Sequence, residues 1–155
     1  LFPYTTLFRS RSSYFLCKTS LRTLYSSMVL PYLYYCNLVW GSTYKSNLKR
    51  LTILQKRAIW VVSRCGCDAP TDPIFKEFTF LKMDSIHLLQ LGQFMYFFST
   101  CNRPPKFDSF FSVNNSIHSY NTRHTSCLRL PLCKTNIRQF SLSFQGPKVF
   151  NTFSF

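Results

Sequence analysis

Acidic side chains are scarce in this chain: five Asp and Glu stand against nineteen Lys and Arg over 155 residues, a net charge of +14, and no acid precedes Asp68. No two carboxylates are adjacent. Asp68, Asp72, Glu77, Asp84 and Asp108 form no close pair outside the Asp68–Asp72 loop, which leaves paired-carboxylate acid–base chemistry and a two-metal centre without support. Glycine is also rare, with four in the chain, so no Gly-rich phosphate loop can be assembled. No long uninterrupted apolar run is present. Thr23 to Tyr44 lacks charge and is long enough to cross a bilayer, but Pro31, Asn37, Gly41 and several hydroxyl residues interrupt it, and it reads as a buried helix instead. The seven cysteines, at 17, 36, 65, 67, 101, 127 and 133, are odd in number and follow no disulfide framework. They read as reduced, partly buried thiols of an intracellular protein that is not secreted.

What is present is an apolar, aromatic and basic chain. Hydrophobic residues make up 46% and aromatics 18%, enough for one domain with a real core and against general disorder. The charge is uneven. Ten basic residues lie before Asp68, where there is no acid, while the remainder has nine basic and five acidic residues. A field of this kind attracts nucleic acid or anionic membrane.

Periodicity predicts a mainly α fold. Leu21, Leu24, Tyr25, Met28, Val29, Tyr32 and Cys36 share one helical face, with Pro31 bending or restarting the helix. Gly41 and Ser42 mark a turn, and a second helix runs from Lys45 to Arg64 with Leu48, Leu51, Leu54, Ala58, Val61 and Val62 on its apolar face. Two long helices joined by a short loop make a helical hairpin. A short helix follows Pro73 through Ile74, Phe75 and Phe78. Asp84 reads as the N-cap of a longer one carrying Ile86, Leu89, Gln90, Phe94, Phe97 and Phe98, closed by Arg103-Pro104-Pro105. Phe107 to Phe111 reads as one helical turn. Alternation at 127–132 and 139–145 predicts two short strands, so the C-terminal tail is expected to be a small α+β element.

The positive charges of the second helix form a stripe. Lys49 and Lys56 are seven apart, as are Arg50, Arg57 and Arg64, and seven residues are almost two turns. With Lys45, these six side chains are the candidate nucleic-acid-binding set, suited to tracking phosphates without reading bases. Arg123 beside Tyr120 would add a stacking contact. Zinc is a weaker reading, since His118, His124, Cys127, Cys133 and Cys65-Gly66-Cys67 match no familiar ligand spacing. No catalytic residue and no metal ligand is assigned.

Several short pieces occur in a fixed order: Leu24-Tyr25, Pro31-Tyr32-Leu33, Tyr35-Cys36-Asn37, Val39-Trp40-Gly41, Leu54-Gln55-Lys56-Arg57-Ala58, Leu81-Lys82-Met83 with Ile86, Tyr120-Asn121-Thr122-Arg123, and Gly146-Pro147-Lys148 with Asn151. In that order they resemble the region just downstream of the reverse transcriptase domain in jockey-like non-LTR (LINE-type) retrotransposon proteins, over roughly residues 16 to 153. The resemblance implies a thumb-like helical unit that grips the template–primer duplex of RNA and DNA, C-terminal to the palm of an RNA-directed DNA polymerase. The fragment itself would be no enzyme and hold no cofactor, since the divalent metal that the parent polymerase would need, with Mg the expected ion, belongs to a palm with adjacent aspartates that this chain lacks. It further implies a missing upstream polymerase domain as partner and a cytoplasmic and nuclear ribonucleoprotein as setting. Two departures from the family pattern occur: Phe150 stands where tryptophan is expected, and 152–155 do not continue in the Leu-Pro manner.

The first ten residues, LFPYTTLFRS, resemble a translated sequencing-library adapter and are set aside from fold reasoning. With Leu1 first and Met28 the earliest methionine, the expectation is the translation of an incomplete transcript. The expected organisation is therefore an adapter-derived segment at 1–10, a helical thumb-like region at 11–103, and a small mixed, truncated tail at 104–155. A free-standing basic nucleic-acid-binding module and a small membrane-associated protein remain as alternative readings.

Overall fold

The computed structural model describes residues 13–100, 107, 110–116, 125 and 127–153. These are mainly helical. In chain order the helices are α1 (Ser13–Phe15), α2 (Lys18–Leu24), a π turn (Tyr25–Val29), α3 (Leu30–Tyr34), α4 (Asn37–Trp40), α5 (Lys45–Ser63), α6 (Thr71–Glu77), α7 (Met83–Ser99), α8 (Asn136–Gln139) and α9 (Leu142–Phe153). The described residues fall into two compact units. One holds those up to Asn37 together with Tyr44–Ile86, and the other holds Leu38–Thr43 with those from His87 onward. The division lies inside α7, whereas the change in composition comes later, at Arg103.

In the first unit, α2, the π turn and α3 run as one helical path whose middle is set by Pro31. Proline has no N–H to give to the preceding turn and its ring crowds that turn's carbonyl. The chain answers with a π turn just upstream, where the Leu30 N–H reaches the Tyr25 carbonyl. Pro31 then falls in the first turn of α3, where a missing donor costs nothing. The path ends at Tyr35, which is extended, and Cys36, which is left-handed at φ 50°. Asn37 is fully buried and donates its amide to the Leu33 carbonyl at 2.9 Å, satisfying one of the orphan acceptors of a helix end.

The core of this unit joins that path to α5 and α6, through Leu21, Tyr25, Ala58, Ile59, Val62, Ile74, Phe75 and Phe78. The predicted hairpin is therefore present. Its inward face is rotated from the expected one: Gln55, Ala58, Ile59, Val62 and Ser63 are buried, while Leu48, Leu51, Leu54 and Val61 are half-buried. Gln55 explains the rotation. Its amide nitrogen donates to the Tyr25 hydroxyl at 3.2 Å and to the Leu81 carbonyl at 2.9 Å, and a buried amide must find partners. After α6 the Phe80 N–H bonds to the Phe75 carbonyl and the Thr79 N–H to that of Lys76, with Thr79 left-handed at φ 56°. This Schellman closure brings the Phe80 ring to 4.4 Å from that of Tyr25.

The second unit is built on aromatic contacts. Met95, Phe111 and Leu128 are buried, with Phe94, Phe98, Leu142 and Phe150 against them, and Phe98 meets Phe111 edge-on at 4.9 Å. Helix α7 starts at Met83, so Asp84 lies in its first turn and not at its N-cap. Leu89 and Phe97, expected inside, are exposed, while Leu91 and Met95 are buried. Met95 replaces Phe97 because it lies on the side of α7 that faces Phe111.

The expected strands correct to other structure. Residues 142–145 of the predicted second strand open helix α9 and Gln139 ends α8. At 127–132 the pairing is limited to one antiparallel bridge between Val113 and Leu128. Leu128 is buried there, but Leu130 and Leu132 are exposed, so alternation does not continue into an inward face. The bridge is made by the Arg129 N–H to the Ser112 carbonyl at 2.8 Å and the Asn114 N–H to the Cys127 carbonyl at 3.1 Å, and the other edge of Leu128 is taken by Asn151. Its Oδ1 accepts from the Leu128 N–H at 3.0 Å and its Nδ2 donates to the Leu128 carbonyl at 2.9 Å, the two bonds a neighbouring strand would have made. The α+β tail is thus a helical tail with one bridge among the described residues.

Two predictions follow from this packing. A Cβ on Gly146 would lie 2.8 Å from Met95 Sδ and 3.1 Å from the Phe111 ring, whereas one on Gly92 meets nothing within 4 Å. Gly146→Ala should destabilise by about 1–3 kcal/mol through overpacking, and Gly92→Ala should stabilise by about 0.5–1 kcal/mol through helix propensity; urea denaturation of both checks the opposite signs. Burial pushes the Tyr25 phenol up to about 12, against a smaller downward pull from the Gln55 hydrogen bond. Below pH 10 the phenol is neutral in folded and unfolded chains alike. Between about pH 10 and 12 the unfolded chain ionises first, so stability falls by about 2–3 kcal/mol through that window. Tyr25→Phe should remove this part of the alkaline loss, measured by denaturation on either side of the window.

Candidate nucleic-acid interface

Helix α5 carries the candidate site. Lys45, Lys49, Arg50, Lys56, Arg57 and Arg64 are all exposed. At 3.6 residues per turn the five within the helix span roughly 140° of its circumference, centred nearly opposite the buried Gln55, Ile59 and Val62, and Arg64 is the C-cap. Nineteen residues at about 1.5 Å each make the stripe about 28 Å long. The fold holds it there: the Gln55 contacts and the Ile59 and Val62 packing set the helix rotation, and the cations take the remaining side.

The arrangement is not one that helix stability would select. The first turn of α5 has no acidic residue, its N-cap Tyr44 makes no side-chain cap, and Lys45 sits at the positive end of the helix dipole. Lys45 and Lys49 are four apart, a like-charge spacing that costs a few tenths of a kcal/mol, about 0.2–0.5. No side chain of the helix is acidic, so the charges have no partner of opposite sign within it. The nearby Asp72 is engaged by Lys82 at 2.8 Å. Its carboxyl is held below the usual carboxylate range by that hydrogen bond, then by the Lys82 charge, with weaker contributions from Lys56 and Lys76.

Arg64 ends the helix in the left-handed region, at φ 58°, and its guanidinium donates to the Leu16 carbonyl. Beside it lies a groove of about 380 Å³ lined by Tyr14, Arg57, Trp60, Val61, Arg64, Cys65 and Cys67. Trp60 is the residue that periodicity alone passed over. It lies three residues after Arg57 and four before Arg64, inside the charged arc, and this i+3, i+4 relation was readable in the sequence. Its indole N–H donates to the Ala69 carbonyl at 2.9 Å, which holds the ring against the Cys65–Pro70 loop.

The other two predicted contacts, Tyr120 and Arg123, lie outside the described residues, as do His118 and His124. Among the described residues no group of three or more His, Cys, Asp or Glu is placed to hold a metal. Cys17, Cys36, Cys65 and Cys67 are exposed and only Cys127 and Cys133 of the described thiols are partly buried, so burial of the cysteines is corrected for the first four. No helix among the described residues is long and apolar enough to cross a membrane.

Comparison with protein-family models, curated proteins and solved structures finds no match for this chain.

Replacing Lys45 by Glu should stabilise the protein. The change puts an acid at the helix start and an i, i+4 Glu–Lys pair with Lys49, worth about 0.3–1 kcal/mol at low salt. Thermal denaturation at low and high ionic strength checks it, with the gain shrinking as salt rises.

Proposed function

We propose that this chain is the C-terminal part of a non-LTR retrotransposon reverse transcriptase, lying after the catalytic palm, and that α5 grips the sugar–phosphate backbone of the template–primer duplex. The reading assigns no catalysis to the chain, and the partners are RNA and DNA together with the upstream polymerase domain, within an intracellular ribonucleoprotein. The observation that carries it is the stripe: five exposed cations on one arc of α5 and a sixth, Arg64, at its C-cap, with no acid among them, at a cost to that helix. Cations so placed track phosphates and position a duplex without selecting its sequence.

A second observation supports the missing partner domain. Met28 and Tyr32, at i and i+4, are 44% and 62% exposed, an apolar pair on the path that otherwise builds the core. The order of the short sequence pieces supports the family. Several of them are accounted for physically: Asn37 closes a helix end, Gln55 links three segments, Gly146 admits Met95 and Phe111, and Asn151 holds the Leu128 backbone.

Binding to a blunt RNA–DNA hybrid tests the reading. If all six cations neutralise phosphates, log affinity against log salt should have a slope near −5, from about −0.9 per phosphate. Lys49→Ala with Lys56→Ala should reduce that slope by about 2 and weaken binding alike on unrelated sequences, and Lys45→Glu should weaken it while stabilising the fold. A slope near zero sinks the proposal.

A further inference from the structure

We infer that the groove at the C-terminal end of α5 is a site for an unpaired nucleotide, which stacks its base on Trp60 and Tyr14 and places its phosphate between Arg57 and Arg64. This deepens the reading of α5 as a phosphate-tracking helix and rests on it: the groove would receive the strand where pairing stops.

Four features converge on that ligand. The groove, at about 380 Å³, lies in the range of pockets that take small ligands, roughly 300–1,000 Å³. Its lining combines two aromatic residues, Tyr14 and Trp60, with two arginines, Arg57 and Arg64, the combination by which proteins hold single-stranded nucleic acid without sequence preference. A base supplies the flat face and its phosphate the charge, whereas a purely anionic ligand would leave the rings unused. The second feature is preorganisation. The Trp60 indole is held by its bond to the Ala69 carbonyl and Arg64 by its bond to the Leu16 carbonyl, so two walls are set before a ligand arrives and the ordering cost on binding is smaller.

Third, Tyr14 is 83% exposed although it lines the groove. A ring with that much free surface adds little to the core, so its removal should leave the fold intact. Fourth, the groove continues the stripe. Arg57 belongs to both, and Arg64 closes the run of cations that begins at Lys45, so a backbone tracked along α5 is delivered to the groove.

The test uses the full chain carrying Trp40→Phe, which leaves Trp60 as its one tryptophan. A short blunt RNA–DNA hybrid, the same hybrid with a single-stranded extension, and a free single-stranded oligonucleotide are each titrated while anisotropy of the nucleic acid and tryptophan fluorescence are recorded. The expected result is roughly 10-fold tighter binding of the extended hybrid than of the blunt one. Trp60 emission should be quenched by the extended hybrid and the free strand but not by the blunt duplex. Tyr14→Ala should abolish the increment and leave blunt-duplex binding unchanged. Trp60→Leu should do the same; because it also loses the Ala69 bond, Tyr14→Ala is the deciding variant. If the blunt hybrid binds with the steep salt slope but the extension adds neither affinity nor quenching, the groove proposal is overturned and the stripe stands. If the free strand quenches Trp60 while the blunt hybrid fails to bind, the groove stands and the duplex reading falls. Failure of every nucleic acid to bind overturns both.

Discussion

The Gln55 side-chain amide is the point on which the first unit turns. A single nitrogen donates to the Tyr25 hydroxyl, on the path before the hairpin loop, and to the Leu81 carbonyl, just ahead of α7. Gln55 itself is buried, and an unsatisfied amide there would cost about 1–3 kcal/mol, so the rotation of α5 is pinned by polar pairing as well as by apolar fit. Any rotation that buried Leu51 and Leu54 more fully would carry Gln55 out of reach of its partners. The apolar contacts of Ile59 and Val62 then supply most of the burial energy, at about 25 cal/mol per Å² of apolar surface, but they do not by themselves choose between neighbouring rotations.

That constraint explains both what the sequence reveals and what it hides. The existence and length of α5, its separation from α6 by a glycine and proline loop, and the restart at Pro31 are all carried by local signals: three- and four-residue spacing, breakers, and the geometry of proline. The inward face of α5 is not, because a pattern of apolar residues cannot report that a glutamine is buried to reach a tyrosine thirty positions away. The cationic arc survives this error. The seven-residue spacing of the charges keeps them together whichever way the helix is rolled, and exposure of all six depends only on their being opposite a buried face.

In the second unit the failure is of another kind. Phe140, Leu142 and Phe144 alternate, and so short an alternation does not separate a strand from the first turn of an amphipathic helix. Pro147 weighs against a helix in a local reading. In the structure Pro147 is nonetheless inside α9 and buried, as packing around Gly146, Met95 and Phe111 outweighs the lost backbone bond. Leu128 is bridged to Val113 on one edge, and on the other edge one asparagine side chain, reaching from α9, does what a second strand's backbone would do. The sequence separation of the two groups, together with the need for a helix to place one of them, leaves that substitution invisible to any count of period or propensity.

The energetics of α5 set folding against charge. Interior positions of the helix are resolved in favour of stability: buried polar groups are paired, and no buried side-chain nitrogen or oxygen among the described residues lacks a hydrogen-bond partner. The solvent face is resolved the other way, with a cation in the first turn, like charges four apart and no acid within the helix to relieve them. Each of these is worth only tenths of a kcal/mol, about 0.2–1, but all have the same sign, and substitution of a single residue would relieve two of them. Random surface composition would be expected to mix signs along nineteen residues. A helix that is satisfied inside and self-repelling outside is stable enough to present its charges, and the repulsion is relieved when a polyanion lies along them. Trp60 stands half-buried in the same arc, and a half-buried aromatic ring among cations gains most from a ligand with both a phosphate and a flat face, as a nucleotide has.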